Sequence, residues 1–424
     1  MRIAVVGSGV AGLVSAALLD GAHEVTVFEA GEHIGGHTHT HRVERFGRTW
    51  HVDSGFIVFN QRTYPNFIRL LDRLGVASQP TTMSFSVRDE RDGLEYNGAD
   101  LDRLFVQRRN LLRPSFLRMV ADILRFYRRA PALLEGGDET LRLGDYLAAG
   151  GFSRRFVEQH IVPMGAAVWS AEPARLLDFP ARAFVQFFAN HGFLQVNDRP
   201  QWRVVCGGSH RYVEALVRSY RHRIRLRTPV RAIVRRPDGV RIATRDHDGE
   251  RFDAVVIATH SDQALGLLAD PSPAEREILG AIPYQANEAV LHCDAGLLPR
   301  RRRAWAAWNA HVLADAPSGA AVTYNLNILQ GLDAPEPFCV TLNRTAGIDP
   351  QRIIARMTYA HPIFTAAGLA AQRRWAEISG QRRTHYCGAY WGWGFHEDGV
   401  NSGLAVARQF GLDAGAAVGP ARAA

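Results

Sequence analysis

The chain has 424 residues, 46% of them apolar, with 50 basic against 42 acidic side chains and a net charge of +8. All 50 basic residues are arginine. Without lysine there is no Schiff-base, P-loop or general-base lysine, which excludes pyridoxal-phosphate enzymes, Walker-type NTPases and lysine aldolases. At roughly 100–200 residues per domain the length predicts two or three domains, large enough to fold without staples. The basic balance favours anionic partners. Arginine is spread along the chain and no nucleic-acid module is present, so a phospholipid surface ranks above nucleic acid. Cys206, Cys293, Cys339 and Cys387 stand far apart with no zinc spacing and read as reduced, structural thiols. No apolar run approaches a membrane span, and a strand beginning at residue 2 leaves no signal peptide, so the expected location is cytoplasmic.

In chain order, Arg2–Val6 reads as a buried parallel strand, Leu13–Leu19 as a helix and His23–Phe28 as a second strand ending at Glu29. Between strand and helix stands Gly7-Ser-Gly9-Val10-Ala11-Gly12, which completes a dinucleotide fingerprint. Gly7 allows the tight turn, Gly9 lets a pyrophosphate approach the backbone, and Gly12 lets helix and strand pack closely. The helix N-terminus supplies free N–H groups to phosphate, and Glu29 is placed to accept from a ribose. His37, His39 and His41 alternate, but no carboxylate nearby completes a metal site. Gly47 marks a hairpin, after which Gly55 permits close approach of backbone to a flat ligand.

Tyr64-Pro65 opens a helix that runs to Leu74 and stops at Gly75. Thr81–Val87 and Leu94–Tyr96 are strands about the Asp92-Gly93 turn. Residues 101–192 read as mostly helical. Within them Leu111–Leu134 is basic and amphipathic, which suits either an anionic membrane surface or a solvated arginine face. Val204–His210 passes from strand to helix at a glycine pair. Arg225–Val234, Val240–Thr244 and Phe252–Ala258 read as three strands with turns between them. Residues 284–345 are strand-rich, and Arg300–Arg303 is a charged loop. Last, residues 385–403 place glycines and aromatics ahead of a helix beginning near Val400. The tail after Gly411 is rich in Ala, Gly and Pro and is expected to fray.

The fingerprint, extended by Gly35-Gly36-His37 just past Glu29, resembles the glutathione-reductase-type FAD proteins, and within them the amine oxidase and phytoene desaturase branch. The resemblance implies an α/β fold: a Rossmann-like FAD-binding domain with an inserted α+β substrate domain. It places the discontinuous FAD domain at 1–62, 200–265 and 383–412, the substrate domain at 63–199 and 266–382, and a flexible tail at 413–424. It lays Gly35, Gly36 and His37 along the pyrophosphate, Gly55 and Phe56 beside the flavin ring, and the Val230 backbone against the adenine. Gly388, Gly399 and Val400 then carry the flavin, with the helix N-terminus facing its pyrimidine side. Ala389 stands where relatives have an acid, so Asp398 becomes the candidate for the ribityl contact.

The runs Asp53–Asn60, Arg199–Trp202, Ala304–Asn309, Asn325–Gln330 and Cys387–Gly399 are similar to a narrower subgroup. It comprises the flavoprotein domain at the N-terminus of plant cyclopropane-fatty-acid synthases and bacterial relatives that desaturate methyl-branched acyl chains. This implies FAD-dependent dehydrogenation of a lipid or methyl-branched acyl chain, with hydride passing to flavin N5. It also implies peripheral contact with the inner face of the membrane and a fatty-acid methyltransferase as companion. His396 and Glu397 are the candidate proton acceptors. Phe56, Phe59, Trp391, Trp393 and Phe395 are the candidate walls. Three alternatives stay open: a flavin amine oxidase, a redox-neutral lipid or carotenoid isomerase, and a non-catalytic FAD-holding partner of the methyltransferase. The missing lysine weighs against the first, because many amine oxidases of the superfamily use a lysine to hold a water near flavin N5.

Overall fold

The computed structural model describes residues 1–136, 138–169, 173–314 and 320–412, so the expected tail at 413–424 lies outside the described residues. A five-stranded parallel sheet is built from distant stretches in the order 224–225, 24–28, 2–6, 254–257, 384–386. Its central strands, Arg2–Val6 and Ala254–Ile257, are almost wholly buried. Covered on both faces, they read as continuous apolar runs without alternation.

Five helices position the site: α1 (Val10–Leu19), α2 (Pro65–Leu74), α3 (Pro114–Arg129), α4 (His210–Leu216) and α5 (His396–Gln409). Helix α2 begins at Pro65 and stops at left-handed Gly75 (φ 65°), as its sequence predicts. Helix α5 begins one turn earlier than expected. His396, Glu397 and Asp398 form its first turn, where carboxylates are favoured by the helix dipole.

Three expected strands are split, each because its parts serve different sheets: Phe252–Ala258 leaves Phe252 in a three-stranded antiparallel sheet and Ala254–Ile257 in the parallel one. Arg225–Val234 becomes Ile224–Arg225 in the parallel sheet and Val230–Arg236 in that three-stranded antiparallel sheet. Left-handed Arg227 (φ 52°) turns the chain between them, and Pro229 has no N–H to give. Thr81–Val87 divides into Ser78–Thr81, paired with Trp202–Val205, and Phe85–Asp89, paired in parallel with Trp308–Val312. The latter belongs to a seven-stranded mixed sheet in the order 353–362, 284–292, 339–342, 320–325, 308–312, 85–89, 94–97.

Helix α3 and the helices that follow it pack on this second sheet. One core joins Phe116, Met119 and Phe126 of α3 to Val87, Tyr96, Ala310 and Val312 of the strands. A π-helical turn at Val157–Ile161 interrupts the helical layer and carries buried His160. All four cysteines are free. Among the described residues, no helix is long and apolar enough to cross a membrane.

Candidate functional site

Helices α1 and α5 lie against each other because both are small-faced at the contact. A Cβ on Gly399 would stand 2.5 Å from Val10 Cγ1, and one on Gly403 would stand 3.0 Å from the Ala11 carbonyl. Gly399, expected at the cofactor, is therefore also the residue that lets the helices meet. Their N-termini are brought to the same end. The first intrahelical bonds are Leu13 N–H to the Gly9 carbonyl in α1 and Gly399 N–H to the Phe395 carbonyl in α5. This leaves the N–H groups of Val10, Ala11 and Gly12, and of His396, Glu397 and Asp398, outside the helical ladders. Val400 lies in the second turn and is buried in the core. The expectation that it heads the helix is thus corrected: the sequence His-Glu-Asp-Gly is itself helical.

The fingerprint residues converge on one groove. Gly7 (φ 106°) turns the chain where a Cβ would meet the Ala258 carbonyl at 2.8 Å. A Cβ on Gly12 would come within 2.2 Å of the Gly7 carbonyl, so helix and strand pack only through glycine. Gly9 is different: a Cβ there meets nothing within 4 Å. Across from it, Gly35 bridges to Gly9, and a Cβ on Gly36 would touch only Gly9 Cα, at 3.1 Å. The Glu29 carboxylate accepts from Ser8 N–H (2.9 Å), Ser8 Oγ–H (2.6 Å) and Gly31 N–H (2.7 Å). Such a group has about four lone-pair sites, so acceptor capacity remains for a ribose hydroxyl. The Glu29 carbonyl accepts from Thr228 N–H, which brings the turn before Val230 beside the acid. An open, glycine-lined groove under two helix N-termini, with an acid at its far end, fits the pyrophosphate and ribose of FAD.

At the ring end, the His37 carbonyl accepts from Phe56 N–H (2.8 Å), and a Cβ on Gly55 would lie 2.0 Å from that oxygen. Gly55 is required here by backbone as well as by any ligand. The His37 ring stands among Tyr359 (4.8 Å), His361 (5.4 Å) and His260 (5.8 Å). Burial, then repulsion from His361 and His260, holds it neutral, well below the ordinary histidine range. Among the described residues no group of His, Cys, Asp or Glu is arranged to hold a metal ion. Gly388 follows strand Thr384–Tyr386 and donates its N–H to Ser402 Oγ of α5 (3.0 Å).

His396 stacks on Phe56 with ring centroids 3.4 Å apart. Its Nε2 meets Thr38 Oγ1 (2.9 Å) and Tyr212 Oη of α4 (2.8 Å), and these two hydroxyls meet each other at 2.6 Å. Burial lowers its pKa to about 3. Glu397, expected as a second proton acceptor, turns the other way. Its carboxylate accepts from Asn66 N–H (3.0 Å) and Phe67 N–H (2.8 Å), capping the start of α2. Asp398 likewise folds back on its own loop, accepting from Phe395 N–H (2.9 Å), and burial raises it to about 7. Both carboxylates thus hold backbone donors at a helix start.

A cavity of about 180 Å³ opens beside His37, Gly55, Phe56 and His396. Of the expected aromatic walls, Phe56, Trp393 and Phe395 line it. Phe59 is buried in the first core and Trp391 packs against another. The remaining lining includes Trp169, Trp308, Tyr324, Tyr359, His361 and Phe364. Most of these come from the seven-stranded sheet and the helical layer; Trp308 falls within the run Ala304–Asn309, whereas Trp169, Tyr359, His361 and Phe364 fall in no motif read from the sequence. Thr38 and Tyr212, which fix His396, were equally silent in sequence.

Fold and site together define an FAD-binding oxidoreductase architecture. A profile of the flavin containing amine oxidoreductases matches residues 10–294, and the chain belongs to that family. It is 28% identical over 309 residues to an L-amino-acid oxidase of Mus musculus, covering 68% of this chain and 46% of that protein. An L-amino-acid oxidase of Siganus canaliculatus is 25% identical over 308 residues, 68% of this chain and 56% of that protein. The chain thus spans about half the length of the curated relatives it matches. Among solved structures, a fatty acid isomerase from P. acnes shares the fold with TM-score 0.67 at 18% identity, covering 96% of this chain and 98% of that one. A putrescine oxidase triple mutant gives TM-score 0.69 at 14% identity over 96% and 98%.

Proposed function

We propose that this protein dehydrogenates an acyl chain, with FAD as oxidant. The observation that carries the reading is the cavity lining: among the described residues it holds no Asp, Glu or Arg. An amino acid brought there would leave its ammonium and carboxylate without partners, and an amine its cation, each a heavy desolvation cost. An alkyl chain has no such cost, and aromatic walls suit it. When bound, FAD supplies the hydride-accepting centre. Two C–H bonds break on adjacent carbons: one hydrogen leaves as hydride with its electron pair, the other as a proton, and a C=C bond forms. An external acceptor, oxygen or a quinone, takes the two electrons onward.

The chain's part is to bind the alkyl group, exclude water and receive the proton. His396 is the proposed acceptor. With Nε2–H donating to Thr38 or Tyr212, Nδ1 is left bare, and the low pKa keeps it bare at neutral pH. The kinship with methyl-acyl desaturases supports a methyl-branched chain, made by a fatty-acid methyltransferase, and a working place at the inner face of the membrane.

The test is anaerobic. Methyl-branched phospholipid in detergent micelles, a polyamine and an L-amino acid are added in turn to the yellow protein. Bleaching of the flavin by the lipid alone is expected. Bleaching by the amine or amino acid instead overturns the reading. A shifted double bond without bleaching assigns an isomerase, and no change without an added methyltransferase assigns a partner role. His396→Ala is expected to keep FAD and slow bleaching about a hundredfold. Unchanged bleaching removes His396 as the acceptor.

A further inference from the structure

A second cavity, of about 290 Å³, lies in the helical layer beneath α3. Its lining is mainly apolar: Phe85, Leu104, Val120, Ile123 and Tyr127 among others. Trp308 lines both this cavity and the first, so the two meet at one indole. Inside, His160 is buried with its Nε2 unpartnered among the described residues. Three large apolar lining residues are themselves exposed and mark the mouth: Leu101 (74%), Val196 (59%) and Leu124 (43%). Arg199 and Asp100 also stand there, the latter beside Arg103 at 3.5 Å.

Helix α3 divides its surface in a way an ordinary domain helix does not require. At about 100° per residue, Met119 and Phe126 share the side turned to the core. Val120, Ile123 and Tyr127 follow and line the cavity. Next comes a stripe with Leu117 (42% exposed) and Leu124 facing solvent. Leu112, just before the helix, is 89% exposed. Of the helix arginines Arg128 borders this stripe, while Arg118, Arg125 and Arg129 stand farther round the helix. Arg118 and Arg125 pair with buried Asp122, whereas Arg109, Arg128 and Arg129 face no carboxylate among the described residues. Large exposed apolar side chains gathered at the mouth of an apolar cavity, and bordered by free cations, are complementary to a bilayer with anionic head groups.

We propose that this leucine-rimmed mouth docks on an anionic phospholipid surface, and that a lipid acyl chain enters there and reaches Trp308. The proposal rests on the acyl-chain reading of the first cavity. Leu112 and Leu117 insert among the acyl chains, while Arg109 and Arg128 meet the phosphates.

The test is sedimentation of the FAD-loaded protein with sucrose-loaded vesicles, either pure phosphatidylcholine or equimolar phosphatidylcholine and phosphatidylglycerol. Binding to the mixed vesicles is expected, weakening with salt. Leu112→Asp combined with Leu117→Asp is expected to lower the partition coefficient at least about tenfold with the Tm held. Arg109→Glu with Arg128→Glu is expected to abolish the preference for phosphatidylglycerol. Absence of wild-type binding, or indifference to the leucine changes, overturns the proposal. So does a dimer that the leucine changes convert to monomer without any vesicle binding, which assigns the face to a second copy. Lipid bleaching in micelles without vesicle binding overturns docking and leaves the acyl reading standing. Vesicle binding without bleaching does the reverse.

Discussion

The nucleotide groove and the substrate cavities are built by opposite means. The groove comes from short segments whose roles are set by neighbours in sequence: a strand, a glycine turn, a helix start. Its polar work is done by backbone N–H groups, which every sequence carries, so what the residues must supply is the absence of side chains. The cavities are made mainly of side chains, contributed by the seven-stranded sheet, the helical layer and the loop before α5. One region is specified by what is omitted, the other by what distant elements bring.

The strongest test of that contrast uses two glycines three residues apart. Gly12→Val drives a side chain into the Gly7 carbonyl and the Ala258 Cβ, 2.8 Å away, and costs about 3 kcal/mol. Its expected outcome is little folded, colourless protein. Gly9→Val meets only open space, so the cofactor-free Tm is expected to change by no more than about 1 kcal/mol allows. The flavin-to-protein absorbance ratio is nevertheless expected to collapse, because the new side chain fills the groove. If Gly9→Val retains FAD, the groove is misassigned.

On the cavity side, Trp308→Ala removes the indole common to both cavities. FAD content is expected to hold, while kcat/KM shifts by about tenfold between shorter and longer acyl chains. Equal effects at all lengths would separate the two cavities functionally.

The smallest expected effect is on pH. Burial holds His39, His160 and His396 at about 3, and His191 and His361 at about 4. Their unfolded values are near 6.5, so as pH falls below that the unfolded chain binds more protons and stability drops. Asp53, raised to about 6, and Asp398, raised to about 7, act in the opposite sense, but they are outnumbered. Tm is therefore expected to fall between about pH 7 and about pH 5. Most of these imidazoles lie at the cavities. Hydrogen exchange at the lower pH is expected to rise first in the helical layer around His160 and His191, with the parallel sheet unaffected.

Much of the groove was legible because its chemistry is local. Gly7, Gly9, Gly12 and Glu29 needed only the strand-helix-strand pattern around them, and the structure brings them together as that pattern requires. Strand bounds shifted where one segment serves two sheets, as at Arg225–Val234, and the backbone duties of polar residues went unread. Glu397 and Asp398 looked like chemistry in the sequence His-Glu-Asp-Gly, yet a carboxylate at a helix start is equally a cap. Nothing within that segment distinguishes the two, because the donors to Glu397 belong to α2, more than three hundred residues earlier.

By itself, then, the sequence determined the class of chemistry the chain can carry: no lysine, one dinucleotide groove, a flavin-type fold. Those properties depend on residue type and on spacing within a few dozen residues. The tertiary structure decided that His37, His361 and His396 line the cavity, that Glu397 and Asp398 accept from backbone N–H groups, and that no Asp, Glu or Arg among the described residues lines it. These depend on long-range packing, in which Thr38, Tyr212, Trp308 and His361 acquire roles only from the partners the fold brings to them.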